Sequence, residues 1–273
     1  MAIWIFYGPF SLLLSLILFV LLIYNQKFKS LFYRFVQFDM LVNIVIYINF
    51  SSYKLIKSDV LREEILAFFE EHCIIDAIRS FIYDWSYHIQ SSSLLLKCIF
   101  RYTLAKYPNA PEVWKLYFSL IMTGMIIYSL LITIPYRFLS VHQPKPNFYS
   151  IFMNIETSFY FIITLSIGYC TQRVLKYRSA QFTNSISKMN SYLIFDLSIH
   201  RIVFVGVLFP SLALYNSEKF FSDYIALLLV DLVALTPPYI LIICDNNIRD
   251  LIRCRRRKKV VHVLPSDMNS TMK

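Results

Sequence analysis

Long apolar runs separated by short polar and basic segments dominate the chain, and seven of them approach the length of a membrane-spanning helix. A helix needs about 20 mostly apolar residues to cross the hydrocarbon core of a bilayer. The seven predicted helices cover residues 3–24, 32–50, 81–100, 116–135, 148–170, 192–215 and 221–244. The first and fourth runs contain no charged residue, whereas the third and sixth carry several. A count of six spans is therefore the alternative to seven.

The distribution of Lys and Arg predicts how this bundle is oriented. Short cytoplasmic loops of membrane proteins carry an excess of basic residues. If the N-terminus lies outside, the inner segments are 25–34, 101–115, 171–191 and the tail after Cys244, which together hold most of the Lys and Arg. An odd number of spans agrees with a cytoplasmic C-terminus, and we expect the N-terminus outside.

The predicted architecture is an all-α integral membrane bundle of seven transmembrane helices. We expect the bundle to occupy residues 1–253 and a basic cytoplasmic tail to occupy residues 254–273. The sequon at Asn49 falls at the outer end of the second span, which agrees with this orientation. Sequons this close to a membrane often carry no glycan, so Asn49 is a weak glycosylation candidate.

Composition favours a chain surrounded by lipid. Apolar residues make up 57% of the chain and charged residues 16%, compared with about 25% charged residues in soluble domains. The net charge of +10 is spread over short clusters between apolar runs, which argues against a nucleic-acid surface. The five cysteines show no metal-binding spacing, and no enzyme motif occurs. We expect no catalysis, no cofactor and no metal.

Polar residues inside the predicted spans are the candidates for function, because a polar group in hydrocarbon is costly. Asp84, Tyr87, His88 and Ser91 follow the i, i+3, i+4, i+7 spacing of one helix face, in the outer half of the third span. Asp84 and His88 can share a proton, so this face is a candidate site for a ligand such as an amine, or for sensing pH. The alternative is a polar pair that only fixes helix packing.

Acidic residues in other spans extend this set. Glu156 in the fifth span is predicted at a similar depth and Asp231 in the seventh near mid-membrane, so both are ligand-binding candidates. They form one cavity with the third span only if their helices face one another. Asp39 and Asn43 form an i, i+4 polar pair in the second span. That pair either binds an ion, changes partners on activation or simply holds helices together.

The end of the seventh span combines a proline pair with a basic block. Pro237 and Pro238 predict a kink, which is either a hinge or a static bend. A short amphipathic surface helix is predicted between residues 245 and 253. The basic block at residues 255–259 is placed to meet anionic lipids of the bilayer, and the adjacent Cys254 is a weak palmitoylation candidate.

Three segments resemble one family of membrane receptors. They are FYRFVQFDMLVNIVIYIN at 32–49, RYTLAKYPNAPEVWKLYF at 101–118 and PPYILIICDNNIR at 237–249. In this order and spacing they resemble the nematode chemoreceptors called serpentine receptor class gamma, over about residues 25–253. The resemblance implies a seven-helix receptor in the plasma membrane of sensory neurons. Such a receptor detects small chemicals and signals through a heterotrimeric G protein.

The resemblance also suggests switch residues and carries one departure. Arg101, at the inner end of the third span, is a candidate contact for the G protein, and the alternative is a basic anchor at the membrane surface. Pro237, Pro238 and Tyr239 are candidates for the same switch. The outer loop at 136–147 has no cysteine, so Cys73 cannot form the disulfide common in other seven-helix receptors.

A second class of function stays open at this point. A multi-span transporter or ion channel would use the intramembrane acids Asp39, Asp84, Glu156 and Asp231 as an ion or proton path. Transporters often show internal repeats and glycine-broken helices. The chain has four glycines and no visible repeat, so the receptor is favoured.

Overall fold

A computed structural model shows a chain built from α-helices. The structure describes residues 3–57, 62–142, 146–178, 194–195, 198–199, 228 and 231–252, and within these ranges no β-strand occurs. A short 3-10 helix, Gln26–Phe28, joins the first two α-helices. The α-helices are α1 (Ile3–Tyr24), α2 (Leu31–Lys57), α3 (Arg62–Glu71), α4 (Cys73–Lys106), α5 (Ala110–His142), α6 (Pro146–Arg178), α7 (Pro237–Cys244) and α8 (Asn246–Ile252).

The helices occupy the positions of predicted spans, but most are longer than the spans themselves. Helices α1, α2, α4, α5 and α6 cover the first five predicted spans, and α7 covers the end of the seventh. Within the described ranges, three helices are long and apolar enough to cross a membrane, through Tyr7–Tyr24, Leu31–Ile56 and Ala110–Pro135. Most of the sixth predicted span lies outside the described residues, since only 194–195 and 198–199 of it are described. Cys254 and the basic tail lie outside them as well.

The segment between the second and third predicted spans contains structure that the apolar pattern did not indicate. Helix α2 continues to Lys57, and α3 follows with Glu63 and Glu64 in its first turn, where the helix dipole favours acidic side chains. Arg79 of α4 contacts aromatic rings of both α2 and α3. Its guanidinium lies 4.1 Å from the ring centre of Tyr53 and 4.4 Å from that of Phe69.

An aromatic cluster packs α2, α4 and α5 together near one end of the bundle. The ring of Phe35 lies 5.0 Å from Phe100, 5.9 Å from Trp114 and 5.0 Å from Phe118, measured between centroids. These are the edge and tilted arrangements that aromatic pairs favour. The indole of Trp114 also donates a hydrogen bond of 2.8 Å to the hydroxyl of Thr103.

Helices α2 and α4 run antiparallel, and their register brings polar residues face to face. Phe35 contacts Phe100 at one end of the contact, and Phe50 stacks on Tyr83 at 4.9 Å at the other. The polar residues of both helices lie between these aromatic pairs. We call the end of the bundle that holds the last turn of α2 the Lys54 end, and the opposite end the Asp245 end.

The outward faces of α1 and α5 are apolar and exposed. Phe10 is 63% exposed, Leu116 is 74% exposed and Leu120 is 69% exposed. A soluble protein rarely leaves such continuous apolar surface to water. Lipid tails cover surface of this kind in a membrane protein.

The proline pair interrupts the helix of the predicted seventh span. Residues 231–235 are helical, Thr236 is a bend and α7 begins at Pro237. Proline has no backbone N–H, so the chain loses two helical hydrogen bonds here. The carbonyl of Thr236 then accepts from the N–H groups of Tyr239 at 3.0 Å and Ile240 at 3.1 Å. The interruption lies where the sequence predicts a kink.

The short helix predicted after the seventh span is present as α8. A carboxylate oxygen of Asp245 accepts a hydrogen bond of 2.8 Å from the backbone N–H of Asn247, which caps the start of this helix. Ile248 is buried and Leu251 packs partly buried against the core, whereas Ile252, at the last residue of α8, is exposed. The amphipathic pattern therefore packs one side of α8 against the bundle.

Candidate functional site

A histidine and a glutamate join α4 to α6 inside the bundle. His88 Nδ1 lies 2.9 Å from Glu156 Oε1, and the His88 side chain is completely buried. The hydroxyl groups of the adjacent residues Tyr87 and Thr157 share a hydrogen bond. Three of the sequence-predicted ligand-binding residues therefore lie at one helix interface.

Tyrosine and serine hydroxyls extend this contact to α5. The Tyr160 hydroxyl lies 3.3 Å from the Ser92 hydroxyl and 3.3 Å from the Tyr128 hydroxyl. The indole of Trp85 donates a hydrogen bond of 2.8 Å to Ser129 on α5. The region where α4, α5 and α6 meet is thus lined by groups that can donate or accept hydrogen bonds.

The other predicted members of the α4 face are buried as well. Asp84 is 7% exposed and Ser91 is 2% exposed. The four residues Asp84, Tyr87, His88 and Ser91 lie along the buried side of α4, as their spacing predicts. Their role in binding a ligand stays a prediction.

A second polar cluster joins α2 to α4. Lys97 Nζ lies 2.8 Å from Asp39 Oδ2, and the Ser93 hydroxyl donates to the other oxygen of the same carboxylate. The amide of Gln90 donates a hydrogen bond of 2.9 Å to Asn43 Oδ1. Asp39 and Asn43 therefore each contact α4. Whether the pair also binds an ion or changes partners on activation stays a prediction.

A small cavity lies beside the Asp39–Lys97 pair. It has about 10 Å³ open to the centre of a water molecule, which is room for about one water. Its lining consists of Asp39, Val42, Asn43, Gln90, Ser93, Lys97 and Pro237. Pro237 is the first residue after the helix interruption, so the cavity connects the α2–α4 cluster to the bend.

A third cluster joins α2 to the predicted seventh span. Lys54 forms an ion pair with Asp231, and the two side chains are only 5% and 17% exposed. The Lys54 ammonium also lies 4.9 Å from the ring centre of Tyr47. The structure therefore brings Glu156 to His88 but pairs Asp231 with a lysine of α2.

Helix α1 completes this third cluster. Tyr7 and Tyr239 stack with ring centroids 6.2 Å apart, and the Ser11 and Tyr239 hydroxyls lie 2.8 Å apart. At Gly8, an added Cβ would lie only 1.7 Å from the Tyr47 hydroxyl oxygen. A glycine at this position lets Tyr47 approach the backbone of α1. Tyr239, a candidate switch residue, holds α7 against α1.

Arg101, the candidate contact for the G protein, is buried near the end of α4. At the same end of the bundle, the Tyr33 hydroxyl donates a hydrogen bond to the buried carboxylate of Asp245. Asn49 lies within α2, where its side-chain amide donates a hydrogen bond of 3.1 Å to the Arg79 carbonyl. At the exposed end of α4, the hydrogen bond to Tyr102 raises the pKa of Lys106.

Metal binding has no support in the described part of the chain. No group of three or more His, Cys, Asp or Glu side chains there is arranged to hold a metal ion.

Sequence reasoning missed the basic partners of the buried acids. In the sequence, Lys97 is one of the charged residues that interrupt the third predicted span. Lys54 lies in the loop that follows the second predicted span. Both are buried and paired. These partners could have been sought in the sequence, because a charged side chain inside a membrane span needs a partner of opposite charge.

Comparisons with known proteins agree with this architecture. The family model described as Srg family chemoreceptor matches residues 1–252. The chain is 26% identical to Serpentine receptor class gamma-53 of Caenorhabditis elegans over 275 residues, which covers 92% of this chain and 90% of that protein. It is 27% identical to Serpentine receptor class gamma-47 of the same organism over 287 residues, which covers 93% and 90%.

These matches confirm the resemblance based on the segments 32–49, 101–118 and 237–249. They extend over nearly the whole chain, and a serpentine receptor is a multi-pass integral membrane protein. Apolar helices with exposed outer faces and buried polar contacts suit that environment. The chain belongs to the Srg family of chemoreceptors.

Proposed function

We propose that this protein is a chemosensory seven-transmembrane receptor that binds a small chemical ligand and signals through a heterotrimeric G protein. The observation that carries the proposal is the buried contact between His88 and Glu156, at a helix interface of an Srg family member. Polar groups that face one another inside a membrane bundle are the groups a small polar ligand can bind.

The proposed topology has seven spans, with the N-terminus outside and residues 254–273 as a cytoplasmic tail. It is supported by the distribution of Lys and Arg and by the match of α1, α2 and α4–α6 to the first five predicted spans. In this orientation the Lys54 end faces outward and the Asp245 end faces the cytoplasm. The His88–Glu156 contact then lies in the outer half of the bundle.

The proposed ligand acts by competing for existing hydrogen bonds. A ligand that binds between α4 and α6 exchanges partners with His88, Glu156 and Tyr87. It favours a second arrangement of the helices only if it binds that arrangement more tightly. If α4 moved away from α6, Lys97 on α4 would move relative to Asp39 on α2. Both residues line the cavity beside Pro237, so that cavity would change shape.

The cytoplasmic response would follow from movement around the bend at Thr236. Tyr239 holds α7 against α1, and Tyr33 binds Asp245 at the start of α8. Rotation of α7 would change both contacts. Arg101, buried in the present arrangement, would become accessible to the G protein as this end opens.

The proposed location is the plasma membrane of sensory neurons, with the lipid bilayer as the first partner. The transporter alternative gains no support from the pairing of the acids. Asp39 and Asp231 are each neutralised by a lysine, and Glu156 contacts a histidine. Each of these three contacts joins two helical segments of the bundle.

Expression in a cell line with a calcium or cyclic-nucleotide reporter tests the proposal. Volatile and small polar chemicals would be screened in this line and in a matched line that lacks the reporter's Gα subunit. We expect at least one chemical to produce a response that requires both the receptor and Gα. Ion flux in liposomes without any G protein would contradict the proposal and support a transporter.

A further inference from the structure

We propose that the Lys54–Asp231 pair marks a binding site for a small alkylammonium ligand, and that the Lys54 side chain occupies this site in the present structure. The inference rests on the proposed function only for its effect on signalling. The binding site itself depends only on the side chains where α2 contacts residues 231–235.

The surroundings of the Lys54 ammonium are those of an amine-binding site. The Asp231 carboxylate supplies the opposite charge, and the face of the Tyr47 ring lies 4.9 Å away. Cations bind over aromatic faces because the ring carries partial negative charge there. A carboxylate and the face of a tyrosine ring that both meet one ammonium group recognise such a group on any carbon chain that fits.

Burial of the pair restricts which ligands can take the place of Lys54. The side chains of Lys54 and Asp231 are 5% and 17% exposed, and Tyr47 is 4% exposed. A buried charge without a counter-charge is strongly unfavourable. A neutral or anionic molecule that displaced Lys54 would leave the carboxylate uncompensated. The site therefore selects cations over alcohols and acids of the same size.

The Lys54 side chain can extend toward the end of α2 when a ligand takes its place. Lys54 lies in the last turn of α2, which ends at Lys57. A lysine near a helix end can extend its four-carbon chain toward water and leave its apolar stem in the membrane. After the exchange, Asp231 is paired with the ligand ammonium and the Lys54 ammonium is in water, so neither charge is buried without a partner.

The exchange would cut a link between two helices. Lys54 connects α2 to the helical residues 231–235, directly before the bend at Thr236 and Pro237. A free ammonium ligand preserves the charge balance at Asp231 but is not attached to α2. The segment before the bend would then lose its ion pair with α2 and keep only its apolar packing, in which Tyr47 meets Ala234 and Leu235. A ligand that binds a shifted position of this segment more tightly would favour that position.

Chemical rescue of a lysine deletion tests the site directly. Lys54→Ala removes three carbons and the nitrogen, which together equal n-propylammonium. The purified full chain in detergent would be compared with the variant by thermal unfolding, with n-propylammonium, n-propanol or sodium chloride added at equal concentration. We expect Lys54→Ala to lower Tm by about 6 °C or more, since Asp231 loses its counter-charge. We expect n-propylammonium alone to restore most of that loss.

The double variant Lys54→Ala with Asp231→Asn is the matched control, because it removes the carboxylate that the amine would bind. We expect n-propylammonium to have no selective effect on it. Equal effects of n-propylammonium and n-propanol on Lys54→Ala, or equal rescue of the double variant, would overturn the proposal.

A second readout covers the case in which Lys54→Ala does not remain folded after extraction. Membranes would then be solubilised with and without n-propylammonium, and the monodisperse fraction would be measured by size-exclusion chromatography. Recovery with the amine alone supports the site, and equal recovery in both conditions overturns it. No G protein is present in either assay. Rescue without any cellular response would thus refute the signalling role alone, and a Gα-dependent response without rescue would refute the amine site alone.

Discussion

His88 Nδ1 and Glu156 Oε1 lie 2.9 Å apart and join α4 to α6 within the buried part of the bundle. Neither side chain could hydrogen-bond to lipid, so each depends on the other or on nearby polar groups. The contact has the two properties that the proposed function needs. It holds two helices in one arrangement, and it presents polar atoms that a ligand can take over.

Coupling between these two residues can be measured. We expect His88→Ala and Glu156→Ala to be non-additive, with a coupling of about 0.5–2 kcal/mol in the free energy of unfolding, because each removes the same interhelical contact. Thermal or denaturant unfolding of the single and double variants in detergent gives this value.

Phe159→Ala provides the matched control on α6. Phe159 lies three residues from Glu156 and is 59% exposed, so its combination with His88→Ala should be additive. Additive behaviour of His88→Ala with Glu156→Ala, within about 0.5 kcal/mol, would show that the contact does not stabilise the bundle.

The ion pair between Lys97 and Asp39 predicts a strong dependence on charge balance. Lys97→Met leaves the Asp39 carboxylate buried without this ammonium, and we expect a loss of about 3–5 kcal/mol in unfolding free energy. A second change, Asp39→Asn, removes the remaining charge and should recover most of the loss. Unfolding of both variants in detergent measures the two effects.

Lys106→Met on the same helix is the control for this experiment, since Lys106 is exposed. It should leave the unfolding transition unchanged. Similar behaviour of the variants at positions 97 and 106 would contradict the buried ion pair.

The close approach of Tyr47 to α1 predicts different outcomes for two glycines in helices. Gly8→Ala places a methyl group 1.7 Å from the Tyr47 hydroxyl oxygen, whereas Gly124 has nothing within 4 Å of an added Cβ. We expect Gly8→Ala to cost about 1–3 kcal/mol through overpacking. Gly124→Ala should stay within about 0.5 kcal/mol of the unchanged chain. Equal stability of the two variants would mean that Tyr47 does not pack against Gly8.

The hydrogen bond from Tyr33 to Asp245 predicts how α8 is held. Tyr33→Phe removes a donor to a buried carboxylate and should cost about 1–3 kcal/mol in unfolding free energy. The backbone N–H of Asn247 still binds Asp245, so α8 should persist. Tyr24→Phe is the control, because Tyr24 is 82% exposed. A loss at position 24 as large as that at position 33 would reject a specific role for the Tyr33 hydroxyl.

Features that depend on local sequence could be predicted. The helix positions follow from apolar run length, the interruption near Thr236 follows from two prolines, and α8 follows from the spacing of Ile248, Leu251 and Ile252. The buried side of α4 follows from the same periodicity. Each of these is set by residues within a few turns of one another.

Features that depend on how helices meet could not be predicted. The sequence places Glu156 and His88 at similar depth, yet it does not specify that α4 and α6 are neighbours in contact. The pairing of Lys97 with Asp39 and of Lys54 with Asp231 depends on helix register and rotation. Periodicity indicates which side of a helix faces inward, but it specifies neither the neighbouring helix nor the register between the two. Helix α3 was missed because it is short and none of its residues is buried.

The orientation of the bundle is the measurement that tests the account most directly, since a receptor must face ligand outside and G protein inside. An N-terminal extension with an added sequon reports on one end, and a C-terminal epitope in intact and permeabilised cells reports on the other. We predict a glycosylated N-terminus and an epitope accessible only after permeabilisation. Both ends on the same side would mean an even number of spans and would contradict the proposed receptor topology.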